Sequence, residues 1–219
     1  MLVNSPIKYS VRTDAVIRLT LLRSWIENYK PHPYFESRLE LYEYITRIIG
    51  YNLPISYLEF GVYKGESLLH WMKLNANEQS EFVGFDSFEG LPEDWVHIGL
   101  SKRGTFSTEG KLPVIEDTRV NLIKGWFQDT LPSFQNRFSS ENQIIIHLDA
   151  DLYSSTMYVL CKMDSIIRPG TIIIFDEFSV MLHEFRALDD YTNAFGRQYE
   201  VLGAAGYMYY NQVAIRFTK

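Results

Sequence analysis

The chain has 219 residues, enough for one domain with a sizeable buried core. Hydrophobic residues supply 46% and charged residues 22%, a globular profile that excludes a disordered or fibrous chain. With 21 Lys and Arg against 27 Asp and Glu the formal charge is −6, so composition makes no case for nucleic acid or an anionic membrane as partner.

The N-terminal stretch carries scattered charges and no uninterrupted apolar segment, which argues against a signal peptide. No apolar run reaches the roughly 20 residues of a membrane span. One cysteine, Cys161, rules out an intramolecular disulfide, and a cytoplasmic location is expected. Cys161 falls among Val159, Leu160 and Met163 and is expected to be a small core residue.

Residues 14–28 and 35–50 show helical periodicity. Val16, Ile17, Leu19, Leu22 and Ile26 form one apolar face, and Leu39, Leu41, Ile45, Ile48 and Ile49 another. "KPHP" at 30–33 separates the two helices, which make residues 1–53 a helical cap on a core at 54–219. In that core "ISYLEF" (55–60) is a strand, 66–74 a helix, "EFVGFD" (81–86) a strand and "VNLIKG" (120–125) a third. "QIIIHLD" (143–149) is a fourth strand, followed by a helix to about 167, and "TIIIFDE" (171–177) a fifth. A helix over 181–195 and the strands "YEVLGAA" and "YMYYNQVAIRF" close the chain. Such alternation predicts one doubly wound α/β domain. The stretch 87–119 has no clear period, and a connection of that length in a compact domain is expected to be a lid or binding loop.

Doubly wound sheets bind ligands beyond the carboxyl ends of their strands. Here the strand ends carry Glu59 before the turn Gly61 to Gly65, then Asp86, then Asp149 and Asp151, then Asp176 and Glu177. A glycine turn followed by an acid at the next strand tip suits a nucleoside. Tyr63 stands where a dinucleotide fingerprint has its middle glycine, which favours S-adenosylmethionine over NAD. Asp149 and Asp176 end neighbouring strands about 4.8 Å apart. At about 4 Å two such charges repel by roughly 4 kcal/mol at an effective dielectric of 20, so a proton or a cation must relieve them. Hard oxygen ligands favour Mg²⁺ over zinc. The alternative role for Asp151 is N-cap of the helix beginning near Tyr153. His147, inside a buried strand, reads as a core histidine, and His183 as either a pocket residue or an exposed helix residue.

The segments "YLEFGVYKGES", "VGFDSFEGLPEDW", "KGWFQDTLP", "IHLDADLYSST" and "RPGTIIIFDEF" resemble the macrocin O-methyltransferase family in order and spacing, over about residues 55–190. That resemblance implies a class I methyltransferase fold, Rossmann-like and mostly parallel with an antiparallel strand near the C-terminus. It also implies S-adenosylmethionine as donor, a divalent cation, usually Mg²⁺, and a glycosylated small molecule or saccharide as acceptor. By position it makes Asp149, Asp176 and Glu177 the metal ligands and Asp151 the general base. Glu59, Gly61, Gly65, Ser67, Asp86, Ser87, Gly125, Trp126 and Asp149 become the cofactor residues. The number of subunits stays open, with a homo-oligomer among the expectations. Rival readings are a methyltransferase for a catechol or amine, a carboxylate-rich metal hydrolase and a noncatalytic nucleoside-binding module.

Overall fold

A computed structural model of the chain describes residues 6–96, 99–206 and 210–219. The aromatic run at 207–209, expected to open the last strand, lies outside the described residues, as do positions 97 and 98 of the long loop. In chain order the elements are α1 (Pro6–Tyr29), β1 (Tyr34–Phe35), α2 (Arg38–Ile49), β2 (Ile55–Phe60), α3 (Glu66–Leu74) and β3 (Glu81–Asp86). A hairpin of β4 (Trp95–Val96) and β5 (Leu100–Ser101) follows, then β6 (Val120–Lys124), α4 (Phe127–Gln135), β7 (Gln143–Leu148) and α5 (Tyr153–Met163). The chain closes with β8 (Ile172–Phe175), α6 (Glu184–Phe195), β9 (Tyr199–Ala205) and β10 (Gln212–Phe217).

Eight strands form one sheet in the order β1-β9-β10-β8-β7-β2-β3-β6. β10 runs antiparallel to both its neighbours, β8 and β9, while the other pairings are parallel. The expected fold class therefore holds. Alternate residues of each strand face opposite layers. Ile144, Ile146 and Leu148 pack with α1, α4, α5 and α6, whereas Ile145 packs with α2 and α3. The same parity puts Tyr57 and Glu59, Ile145 and His147, and Ile174 on the α2 and α3 side, with Glu59 in register with His147 and His147 with Ile174.

Several sequence expectations need correction. The N-terminal cap also contains strand β1, which pairs with β9 at the sheet edge. Val16 and Ile17 are 65% and 52% exposed, because α1 turns inward Leu22, Trp25 and Arg18, the last to bond Asp189 and Asp190 of α6. Leu39 and Ile48 are likewise exposed, since α2 buries Leu41, Tyr42, Ile45 and Thr46. Helix α4 was not anticipated: it is short, contains Pro132 and buries only Leu131. α5 ends at Met163, about a turn before the expected limit. Cys161 is exposed, on the side of α5 away from Val159, Leu160 and Met163.

The long loop has structure of its own. β4 pairs with β5, Leu91 N–H donates to Thr105 and Gly104 N–H donates back to Leu91. Leu91, Trp95 and Leu152 form a small apolar cluster that seats this hairpin on the start of α5.

Candidate active site

The C-terminal ends of β2, β3, β6, β7 and β8 open into a cleft of about 380 Å³, a size proper to a small-molecule site. Its walls include Gly61, Ser67, Asp86, Ser87, Gly125, Trp126, Asp149, Asp151, Asp176 and Glu177. Ten of the predicted site residues are thus brought together. Glu59 and Gly65 do not line the cleft.

Gly65 acts through its backbone instead: it precedes α3 at φ +80, with Pro113 of the long loop above it. Gly61 has φ +98, and a Cβ placed there would lie 1.8 Å from the carbonyl oxygen of Asp149. This glycine therefore admits the neighbouring strand end before it admits any ligand. Asp86 accepts hydrogen bonds from the backbone N–H groups of Val62 and Tyr63 at 2.9 and 2.7 Å and of Phe88 at 2.7 Å. A carboxylate has about four acceptor positions, so Asp86 organises the glycine turn with roughly one position left for a ligand.

Asp151 is not the N-cap of α5. The N-cap of α5 is Leu152, which makes no side-chain cap bond; His183 Nδ1 accepts from Tyr153 N–H at 3.1 Å. Asp151 itself has φ +59 in a γ-turn closed by Leu152 N–H to Ala150 O, the strained hand of that turn. It is 8% exposed and lines the cleft. Burial, then Glu177 and Asp176, pushes its carboxyl up to about 7. Burial and Asp176 likewise raise Glu177 to about 7.

Beneath the cleft lies a polar network that sequence reading missed. His147 is fully buried, as expected, yet its Nδ1 lies 2.8 Å from Tyr57 Oη and its Nε2 3.2 Å from Tyr42 Oη. Tyr57 donates to Glu59 at 2.6 Å and Tyr42 to Asp176 at 3.5 Å. Burial works against protonation of His147, but Asp176 and Glu59, each with an oxygen 3.7 Å from a ring nitrogen, outweigh it and raise its pKa to about 10. As an imidazolium, His147 donates to both tyrosines while they donate to the two acids. Glu59 is therefore fixed below the cleft.

Arg38 was also missed. Its guanidinium reaches over the carboxylates, 3.3 Å from Asp176 Oδ2 and 3.9 Å from Asp149 Oδ2. Burial raises Asp149 well above the usual range, with Asp176 adding to it, while His147 and Arg38 hold Asp176 below that range against its own burial. Glu184 is fully buried beside them; its Oε2 accepts from Glu177 N–H at 2.8 Å and its Oε1 is unpaired among the described residues. Glu59, Asp149, Asp151, Asp176, Glu177 and Glu184 thus crowd around Arg38 and His147, with Lys64 also on the cleft wall. A divalent cation fits this oxygen-rich, under-neutralised set. Single oxygen or nitrogen atoms of His147, Asp149 and Asp176 lie within 4.8 Å of one another, and Glu177 stands outside that group on the cleft wall. Neither Tyr42 nor Arg38 carries a signal in sequence spacing, because both reach the site from a helix far upstream.

Parallel sheet, single antiparallel β10 and strand-end cleft together define a class I methyltransferase fold. Solved structures agree: the O-methyltransferase NovP superposes with a TM-score of 0.60 at 22% identity, over 83% of this chain and 80% of that one. An O-methyltransferase from Bacillus cereus in complex with SAH gives 0.57 at 15% identity, over 99% and 94%. More narrowly, the chain belongs to the macrocin O-methyltransferase (TylF) family, whose model matches residues 36–202. One relative is the 8-demethyl-8-(2,3-dimethoxy-alpha-L-rhamnosyl)-tetracenomycin-C 4'-O-methyltransferase of Streptomyces olivaceus, 26% identical over 177 residues, 68% of this chain and 65% of that protein. Another is the demethyldecarbamoylnovobiocin O-methyltransferase of Streptomyces niveus, 25% identical over 170 residues, 69% and 63%. The alignments thus span just under two thirds of each relative's length.

Proposed function

We propose that the chain is a S-adenosylmethionine-dependent O-methyltransferase acting on a sugar hydroxyl of a glycosylated small molecule, assisted by a divalent cation such as Mg²⁺. The observation that carries this reading is Asp151, a buried carboxylate in a strained turn, unused as a helix cap and facing a carboxylate-rich cleft. Family membership supports methyl transfer over hydrolysis or mere nucleoside binding. The rhamnosyl acceptor in the name of one relative supports a sugar over a catechol or an amine.

When bound, S-adenosylmethionine supplies an electrophilic methyl group, and a divalent cation supplies charge that acidifies a hydroxyl and fixes its position. The turn at Gly61 to Tyr63, with Asp86, Ser87 and Trp126, would hold the former; Asp149, Asp176 and Glu177 the latter. Asp151 accepts the acceptor hydroxyl's proton, a role suited to a carboxyl near 7. His147 keeps Asp176 ionised and Glu59 in place through Tyr42 and Tyr57. Trp95 of the β4 and β5 hairpin and the preceding Leu91 line the cleft and would limit access of water.

Calorimetric titration of S-adenosylhomocysteine, with and without Mg²⁺, tests the donor; one site of micromolar affinity is expected, and no heat in either condition removes the reading. Labelled methyl transfer to glycosylated acceptors, with catechols alongside, tests the acceptor class. Product on catechols alone would move the acceptor away from sugars.

A further inference from the structure

Arg38 is the first residue of α2 and is held there by a capping box: Ser37 Oγ accepts from Glu40 N–H, and Glu40 Oε2 accepts from Ser37 N–H. The backbone is thus anchored while the guanidinium reaches outward. Its contacts with Asp176 and Asp149, at 3.3 and 3.9 Å, are longer than the 2.7–2.9 Å of a charge-assisted bond. Compare Arg197, which sits 2.7 Å from Asp164. Arg38 therefore neutralises the carboxylates without locking onto them. It uses the Oδ2 atoms of both acids, the same cluster that would bind a cation.

A second seat adjoins the first. Arg38 Nη2 lies 3.9 Å from Glu66 Oε2, and Glu66 is an exposed carboxylate whose side chain is 77% accessible. Arg38 also forms the wall between the main cleft and a side groove of about 300 Å³, which it shares with Glu66, His70 and Lys73. Its side chain is a third exposed and borders both openings. Two positive charges cannot share Asp149 and Asp176 at close range without strong mutual repulsion.

From this we infer that Arg38 is a displaceable internal counter-ion, which occupies Asp149 and Asp176 in the cation-free protein and swings toward Glu66 when a divalent cation enters. The inference rests on the metal reading above. It gives that site a consequence of its own: the guanidinium lowers cation affinity, and loading the site delivers a positive charge to the side groove.

Two measurements on the purified chain test it, neither of which reads activity. Mn²⁺ titration followed by electron paramagnetic resonance is run on the wild type, Arg38→Gln and Arg38→Lys. Arg38→Gln is expected to bind Mn²⁺ at least tenfold tighter, with Arg38→Lys gaining less because it keeps the charge. Binding by Arg38→Gln alone also supports the proposal. Equal or weaker binding by Arg38→Gln, with the wild type binding normally, overturns the counter-ion role and leaves the metal site standing. No Mn²⁺ binding by wild type or variant removes both. Phenylglyoxal labelling mapped by mass spectrometry needs no variant: labelling of Arg38 in the wild type should rise on adding Mg²⁺, with Arg197 as the unresponsive control. Unchanged or reduced labelling of Arg38 in cation-loaded protein contradicts displacement.

Discussion

Asp151 and Gly61 both occupy positive-φ backbone, for different reasons and with opposite consequences on substitution. An L-residue in that region costs on the order of 1–3 kcal/mol, and Asp151 additionally faces the like charges of Glu177 and Asp176. Asn tolerates the same conformation and removes the repulsion. Asp151→Asn should therefore melt at the wild-type temperature or above it while turnover falls by about 10²-fold or more. Thermal denaturation beside a methyl-transfer assay checks this, and a lower melting temperature would make the carboxylate structural. Gly61→Ala should instead lose stability, since its Cβ would collide with the Asp149 carbonyl of the next strand. A loss of roughly 3 kcal/mol or more is expected in urea unfolding; a loss under 1 kcal/mol would mean the two strand ends separate easily. In the sequence the glycine turn and all the strand-end acids were visible. The reason for Gly61 was not, because it lies in a residue almost ninety positions downstream. His147 was read as a core histidine and is one, yet its partners Tyr42 and Tyr57 converge on it only through the sheet and α2, which no local spacing reveals.

Among the elements, α2 and the β4 and β5 hairpin matter most to the site. The capping box of α2 was present in the sequence as Ser37 and Glu40, three residues apart before an apolar run, and it sets the base from which Arg38 reaches. Ser37→Ala is expected to cost about 1 kcal/mol in a urea melt; no change would mean that Glu40 alone holds the helix start. His183 links two elements, accepting from Tyr153 N–H at the start of α5 and approaching Val96 O of the hairpin at 2.9 Å. In His183→Ala the amides of Trp95, Val96, Leu100 and Ser101 should exchange faster while those of β7 keep their protection. Equal exchange in variant and wild type would show that the apolar seat of Leu91, Trp95 and Leu152 suffices. Elements with many periodic positions were legible in the sequence, as α3 at 66–74 and β2 at 55–60 were. β1, with two residues, and α4, with one buried side chain and an internal proline, offer too little pattern for tertiary contacts to be inferred from them.

At the scale of the whole molecule, the crowding of acids against Arg38 and His147 should govern how stability varies with pH. Asp151 and Glu177 have carboxyls raised to about 7 in the folded chain, against about 4 when unfolded. Between those values the folded state holds protons that the unfolded state has lost, so stability falls as pH rises through the window. His147, raised to about 10 from an ordinary 6.5, extends the same sign upward: its contribution is complete below about 6.5 and is lost as pH rises through about 10. Asp176, held below the usual range, acts oppositely and only at acid pH, where its contribution is lost as pH falls. Cation-free protein should therefore be most stable near pH 4 and melt progressively lower toward pH 8. A bound divalent cation favours the ionised carboxylates and should flatten that decline. Melting temperatures recorded from pH 4 to 9 in EDTA and again in excess Mg²⁺ make the comparison. A flat or rising profile in EDTA would mean that the acids share their charge through a partner other than protons. A decline left unaltered by Mg²⁺ would instead place the cation away from these carboxylates.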